Sequence, residues 1–232
     1  MAPHRAPETQ PPLSDREIER FKRDAARAAA ELVHDGMRVG LGTGSTVAHL
    51  LDALGERAGQ LRTARFAATS PRTAAIAAEL SLEVCDLDEL GELDLAIDGA
   101  DQVDPAGWLV KGGGGAHTRE KIVAAAAHRF VVIVSAEKLV PRIGPPVPLE
   151  LLRFGVRCTL AELGHSVLRD ADPSPDGNLI ADYTGPVEDP AELAARLAAT
   201  PGVVEHGLFP PAMVGEVIVA GPQGIERRPI TA

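Results

Sequence analysis

Apolar and polar positions along this chain alternate between two textures. A capping-box spacing at Ser14, Asp15, Arg16 and Glu17 opens an alanine-rich helical stretch that runs to residue 34. Short apolar runs follow, each bounded by glycine or polar residues, and each is followed by a helical pattern. Strands are expected at 37–41, 64–69, 82–85, 93–97 and 130–134, with a short extended piece at 108–110. Helices are expected at 47–54, 71–80 and 118–129. Buried-looking strands separated by helices imply a mostly parallel sheet covered on both faces.

The texture changes after Pro141, and Pro145, Pro146 and Pro148 mark a boundary. Beyond it the pattern predicts strand 149–154, helix 159–166, strands 167–171 and 179–183, helix 190–199 and strand 203–208. The order β-α-β-β-α-β is ferredoxin-like. A final hairpin, 216–220 turning through 221–224, is placed with the first unit. The expected organisation is therefore α/β. A Rossmann-like catalytic domain spans 15–145 plus 209–232, a ferredoxin-like small domain spans 146–208, and residues 1–14 form a disordered proline-rich tail.

With 232 residues the chain can bury a large core, and 45% hydrophobic with 24% charged residues is ordinary for a globular protein. The net charge of −10 argues against a nonspecific nucleic-acid binder, which needs a basic face. Cys85 and Cys158 are far apart and read as reduced core thiols. No apolar run is long enough to span a membrane, and the start lacks a secretory apolar segment. A cytoplasmic protein with no membrane or nucleic-acid partner fits these features.

The candidate chemistry is concentrated between residues 98 and 120. Asp98, Asp101 and Asp104 precede Lys111, the four glycines 112–115, and Glu120. Consecutive glycines cost backbone entropy and suit a main chain that must approach something closely. Asp98 falls at the carboxyl end of an expected strand, where open α/β sheets place ligands. The acids stand at positions 1, 4 and 7 with Leu109 at position 12, which excludes a calcium loop. Glu120 falls in the first turn of a helix, where the dipole favours its ionised form.

Upstream, Gly42, Thr43, Gly44, Ser45 and Thr46 join a strand to a helix, a natural cradle for phosphate. Ser45 stands where a dinucleotide fingerprint needs glycine, and no Lys-Ser/Thr ending makes a P-loop, so NAD and ATP are not expected. A tight turn without ligand also accounts for this segment taken alone. The seven histidines show no metal-ligand spacing, and His117 reads as incidental.

Together these motifs strongly resemble ribose-5-phosphate isomerase, type A. The likeness continues through Ser135–Lys138, Asp176–Asn178 and 201–209. The resemblance implies interconversion of ribose 5-phosphate and ribulose 5-phosphate, in the pentose phosphate pathway, without metal or organic cofactor. It implies that Glu120 is the base, working through a cis-enediol, and that Asp98 serves sugar-ring opening and hydroxyl proton handling. Asp101 and Lys111 would bind hydroxyls and stabilise the enediolate. Gly112, Gly113 and Gly114 would present amides to sugar oxygens, and Thr43, Gly44, Ser45 and Thr46 would hold substrate. Lys22 and Lys138 would lie near the phosphate. The partner expected is a phosphorylated pentose, with a homodimer or homotetramer as the assembly. Two positions depart from the family. Gln102 stands where glutamate is common, and His117 stands where an apolar residue is usual and could alter the pH dependence. Left to the residues alone, a non-catalytic sugar-phosphate sensor and an isomerase or deaminase of another phosphorylated sugar remain open.

Overall fold

The computed structural model describes residues 13–230. Residues 1–12 of the expected 1–14 tail lie outside the described residues. Leu13 packs against the core, and Ser14 caps the first helix, α1 (Asp15–Ala30), through a complete capping box with Glu17. Phe21, Ala25, Ala26, Ala29 and Ala30 form its buried stripe. Alanines on that stripe let the helix lie close to the sheet and to the second helix.

The chain then runs through β1 (Arg38–Leu41), α2 (Ser45–Gly55), β2 (Arg65–Ala68), α3 (Pro71–Glu79), β3 (Glu83–Val84), α4 (Leu87–Leu90) and β4 (Leu95–Asp98). Two short strands follow, β5 (Gln102–Val103) and β6 (Leu109–Val110), then α5 (His117–Ala125) and β7 (Phe130–Ser135). Next come β8 (Val147–Leu151), α6 (Val156–Leu163), β9 (Ser166–Leu168), β10 (Leu179–Tyr183), α7 (Pro190–Ala199) and β11 (Val203–His206). The chain closes with β12 (Leu208–Phe209), β13 (Glu216–Gly221) and β14 (Gly224–Pro229).

The main sheet has seven strands in the order β14-β13-β7-β4-β1-β2-β3. All its pairings are parallel except β13 with β14. From β1 the chain builds outward through β2 and β3, then returns to place β4 on the other side of β1. The order reverses between β1 and β4, so a crevice opens beyond their carboxyl ends. The four-stranded sheet, in the order β11-β8-β10-β9, is wholly antiparallel and carries α6 and α7 as crossovers, the ferredoxin-like arrangement. A third sheet, β12-β6-β5, joins the two short strands between β4 and β7 to β12, which follows β11. Apolar clusters fill both faces of the main sheet, and a separate one backs the antiparallel sheet. Among the described residues no helix is long and apolar enough to cross a membrane.

Several element ends differ from expectation, each for a local reason. Helix α5 stops at Ala125, not at residue 129, because Leu93 takes over the backbone pairing: its N–H donates to Ala126 O, and its carbonyl accepts from His128. Helix α6 lies three residues earlier than expected. It starts after Gly155 (φ 69°) and is ended by Gly164, whose positive φ of 60° suits glycine and turns the chain toward β9. Strand β8 covers Val147–Leu151 and not 149–154. It includes Pro148 although it is an interior strand, and the Pro148 carbonyl accepts from Gly207 N–H.

Candidate active site

Glycine is required where β1 ends. A β-carbon on Gly42 would overlap the Asp98 carboxyl group, so the turn and the end of β4 can touch only without a side chain there. The contact is used twice. Thr43 N–H donates to Asp98 Oδ1 at 3.1 Å, and Gly99 N–H donates to the same oxygen at 2.7 Å. The Thr43 hydroxyl turns back to Thr69, 2.8 Å away, and the Thr73 hydroxyl donates to Gly42 O. Thr43 therefore faces the crevice with its backbone, while Ser45 and Thr46 open α2 with the free amides of its first turn.

Lys111 follows β6 directly and is buried with Asp98 and Glu120. Its ammonium donates to Asp98 Oδ2 at 2.8 Å and to Gly99 O at 2.6 Å. Glu120 Oε2 stands 3.1 Å from the same nitrogen. That last contact is an ion pair misaligned for a hydrogen bond, so Glu120 Oε2 is a buried acceptor without a hydrogen-bonding partner among the described residues.

Burial pushes the Glu120 carboxyl up, the Asp98 charge adds to the push, Lys111 opposes it, and the result is about 8. The helix-dipole expectation of an acidic Glu120 is thus outweighed by desolvation. Burial likewise raises Asp98 against the pull of Lys111. For Lys111, burial works against the charge, and its two carboxylate neighbours more than offset it, holding the ammonium above its ordinary range.

Between Lys111 and α5 runs the glycine loop. Gly112 adopts φ 101°, and Gly113 N–H donates to Asp101 Oδ2 at 2.8 Å. Asp101 is exposed, and a β-carbon on Gly113 would come within 2.9 Å of its carboxylate. His117 is fully buried behind this loop, and a β-carbon on Gly112 would lie 2.6 Å from its Nδ1. Burial drives its pKa down to about 3. Behind the loop it is therefore uncharged near neutrality. Gln102 points away from the crevice: its amide donates to Gly144 O at 3.0 Å and accepts from Gly144 N–H at 2.8 Å. Asp104 caps its own turn, accepting from Ala106 and Trp108.

These groups enclose a cavity of about 150 Å³. Twelve of the thirteen residues singled out from sequence line it: Lys22, Thr43, Gly44, Ser45, Thr46, Asp101, Lys111, Gly112, Gly113, Gly114, Glu120 and Lys138. Asp98 is the exception, lying behind Lys111 and Thr43. Lys22 comes from α1, where it pairs with Glu19 at 2.6 Å. Lys138 comes from the single turn after β7 and has no ion-pair partner among the described residues. A larger groove of about 850 Å³ runs along the other side of α5, past Arg119 and Asp176, but the Lys111–Glu120 pair does not line it. Among the described residues no cluster of three or more His, Cys, Asp or Glu could hold a metal ion.

Sequence reasoning did not single out Arg169 and Glu150 as site residues. Arg169 reaches the glycine loop from the end of β9. Glu150 is wholly buried on β8 and accepts from Thr118, Ser174 and Asn178, tying the start of α5 to the antiparallel sheet. Both act from positions tens of residues from the loop, where spacing carries no signal.

The site can be compared with known proteins. Residues 65–224 match the family described as ribose 5-phosphate isomerase A (phosphoriboisomerase A). The ribose-5-phosphate isomerase A of Roseiflexus castenholzii is 45% identical over 219 residues, covering 88% of this chain and 93% of the relative. The structure of the ribose 5-phosphate isomerase A from Methanocaldococcus jannaschii superposes with a TM-score of 0.86 at 36% identity, covering 91% of this chain and 99% of that one. A D-ribose-5-phosphate isomerase solved in complex with phospho-erythronic acid also gives a TM-score of 0.86, at 33% identity, with the same coverage of both chains.

Proposed function

The chain belongs to the ribose 5-phosphate isomerase A family, and we propose that it interconverts D-ribose 5-phosphate and D-ribulose 5-phosphate through an enediolate, with Glu120 as the base. The observation that carries this reading is the buried Glu120 carboxylate beside Lys111 in a glycine-walled cavity. A proton α to an aldehyde is weakly acidic. Its removal needs a base of matched strength and a stabiliser for the oxygen that becomes negative.

In the forward direction Glu120 takes the proton from C2 of the open-chain aldose. The electron pair moves into a C1–C2 double bond, and charge develops on O1. The buried Lys111 ammonium and the free amide of the glycine loop meet that charge in a site that is already arranged, worth typically several kcal/mol. The hydroxyl proton on O2 passes to O1, and Glu120 returns its proton to C1, which leaves the ketone at C2. One carboxyl group serves both steps, so atoms balance without a redox partner.

Roles for the two aspartates follow from placement. Asp98 has both oxygens occupied, by Thr43 and Gly99 N–H on one side and by Lys111 on the other. That supports a role in fixing Lys111 and the Thr43 turn. Asp101 stands on the cavity wall and is exposed, which supports giving it the proton handling at the hydroxyls that the resemblance implied for Asp98. Lys22, Lys138 and the first turn of α2 offer cations and amides to the phosphate, whose binding energy holds C1 and C2 beneath the base.

The test is direct. Purified protein is given ribose 5-phosphate with and without a chelator, and ribulose 5-phosphate is followed. The expected result is ketose formation at the same rate in both. Binding of the pentose phosphate with no ketose formed would overturn the reading.

A further inference from the structure

We infer that Arg169, contributed by the antiparallel sheet, is a positioning residue that orients the glycine loop so that the Gly114 amide faces the reacting oxygens. The inference rests on the isomerase reading above. Arg169 follows β9 and is half-buried. Its Nε and Nη2 form a two-pronged pair with Asp182 on β10, at 2.8 and 2.6 Å. A guanidinium is planar, so this pair fixes the direction of the remaining nitrogen. That nitrogen, Nη1, donates to two successive carbonyls of the loop, Gly112 O and Gly113 O, both at 3.0 Å.

The consequence follows from the peptide unit. A trans peptide is planar, so each carbonyl points opposite to the N–H of the next residue. With Gly112 O turned to Arg169, Gly113 N–H is turned the other way, where it meets Asp101. With Gly113 O turned to Arg169, Gly114 N–H is also turned the other way. Gly114 lines the cavity, and its N–H has no protein acceptor among the described residues. A run of glycines has no conformational preference strong enough to hold this orientation by itself. Gly115 N–H also donates to Gly112 O at 3.0 Å and so helps to hold the first peptide; the guanidinium adds the hold on Gly113 O, and its charge behind the carbonyls polarises both peptides toward stronger donation in front.

A clamp of this kind makes predictions that a simple strut between the sheets does not. Arg169→Lys keeps the charge but cannot pair with Asp182 in two-pronged fashion and still span both carbonyls. Arg169→Gln removes the charge. We expect kcat to fall by about 10- to 100-fold in both, below the cost of losing an oxyanion donor outright, with KM within about threefold. Affinity for phospho-erythronic acid, whose carboxylate imitates the enediolate, should weaken by the same factor as kcat. Affinity for the uncharged-headed pentitol 5-phosphate should hold. A kcat within twofold of the parent in both variants overturns the inference. So does equal weakening of both ligands, which is what a collapsed site would give. If Arg169→Gln does not fold, Arg169→Lys carries the same comparison. If the parent itself forms no ketose, the isomerase reading fails. The clamp is then decided by the Gly114 amide resonance, which Arg169→Lys must shift and would leave in place if the arginine were only a strut.

Discussion

Glu120 Oε2 lies 3.1 Å from the Lys111 ammonium, with both side chains nearly sealed from solvent. The pairing places the group that would take the proton beside the group that would stabilise the charge left behind. Two pressures act on the carboxyl. Burial and Asp98 make it a stronger base, and Lys111 restrains that trend. A base with a pKa near the working pH is the best compromise between being ionised and being able to accept.

The first prediction concerns pH. Catalysis needs ionised Glu120, so kcat/KM should rise with pH along a limb whose apparent pKa lies near 8, well above the ordinary carboxylate value of 4.5. Stability runs the other way. Folded Glu120 keeps its proton up to about pH 8, while the unfolded chain releases its own near 4.5. Across that window the unfolded state binds fewer protons, so the contribution of this group to stability falls as pH rises, and it is flat on either side. Denaturant titrations of the parent and of Glu120→Gln at pH 5 and pH 8 check the sign: the variant should gain on the parent at the higher pH.

The two aspartates should separate in opposite directions. Asp98→Asn breaks a buried ion pair and turns one acceptor oxygen into a donor facing amides. It should cost about 3–5 kcal/mol of stability. Asp101→Asn keeps an oxygen that can accept from Gly113 N–H and loses only the charge, so it should cost about 1 kcal/mol or less. Its kcat should nevertheless fall by about 10²-fold or more. Chemical denaturation with steady-state kinetics on both variants reads the contrast.

Gly42 and Gly59 offer a matched pair. A methyl group on Gly42 collides with the Asp98 carboxyl, whereas one on Gly59 meets nothing within 4 Å. Gly42→Ala should therefore displace Asp98, misplace Lys111 and reduce kcat by about 10²-fold or more, since an error near 1 Å at the reacting groups is worth that much. Gly59→Ala should leave kcat within twofold.

These contrasts mark the limits of what the chain discloses before it folds. The order of strands and helices was legible, because apolar runs of four to six residues between helical patterns leave a clear period, as in β7 and β13. The acids, Lys111, the glycines and Glu120 were legible as a set because they sit together in the chain. The strand β5 was not, nor was the break between β11 and β12, since two residues carry no periodicity, whereas β6 falls within the extended piece expected at 108–110. Asp98 and Asp101 look alike in sequence and differ only in burial, a tertiary property. Arg169 and Glu150 act across 56 or 57 and 32 residues, respectively, and nothing local marks them.

Gln102 tests a departure from the pattern usual for the family. Its amide group is satisfied at both ends by Gly144, away from the cavity. Gln102→Glu replaces a donor with a carboxylate oxygen facing the Gly144 carbonyl. It should lower stability by about 1–2 kcal/mol while kcat stays within twofold. Thermal denaturation and the isomerase assay together check this.

The central claim is that one glutamate carries the proton between two carbons, and exchange with solvent reads that step directly. In heavy water the parent enzyme should place deuterium from solvent on C1 of ribulose 5-phosphate or C2 of ribose 5-phosphate. Glu120→Gln should lower the rate of that incorporation by about 10²- to 10⁴-fold. A Glu120→Gln rate within tenfold of the parent, or parent turnover that never admits solvent deuterium, would contradict the account.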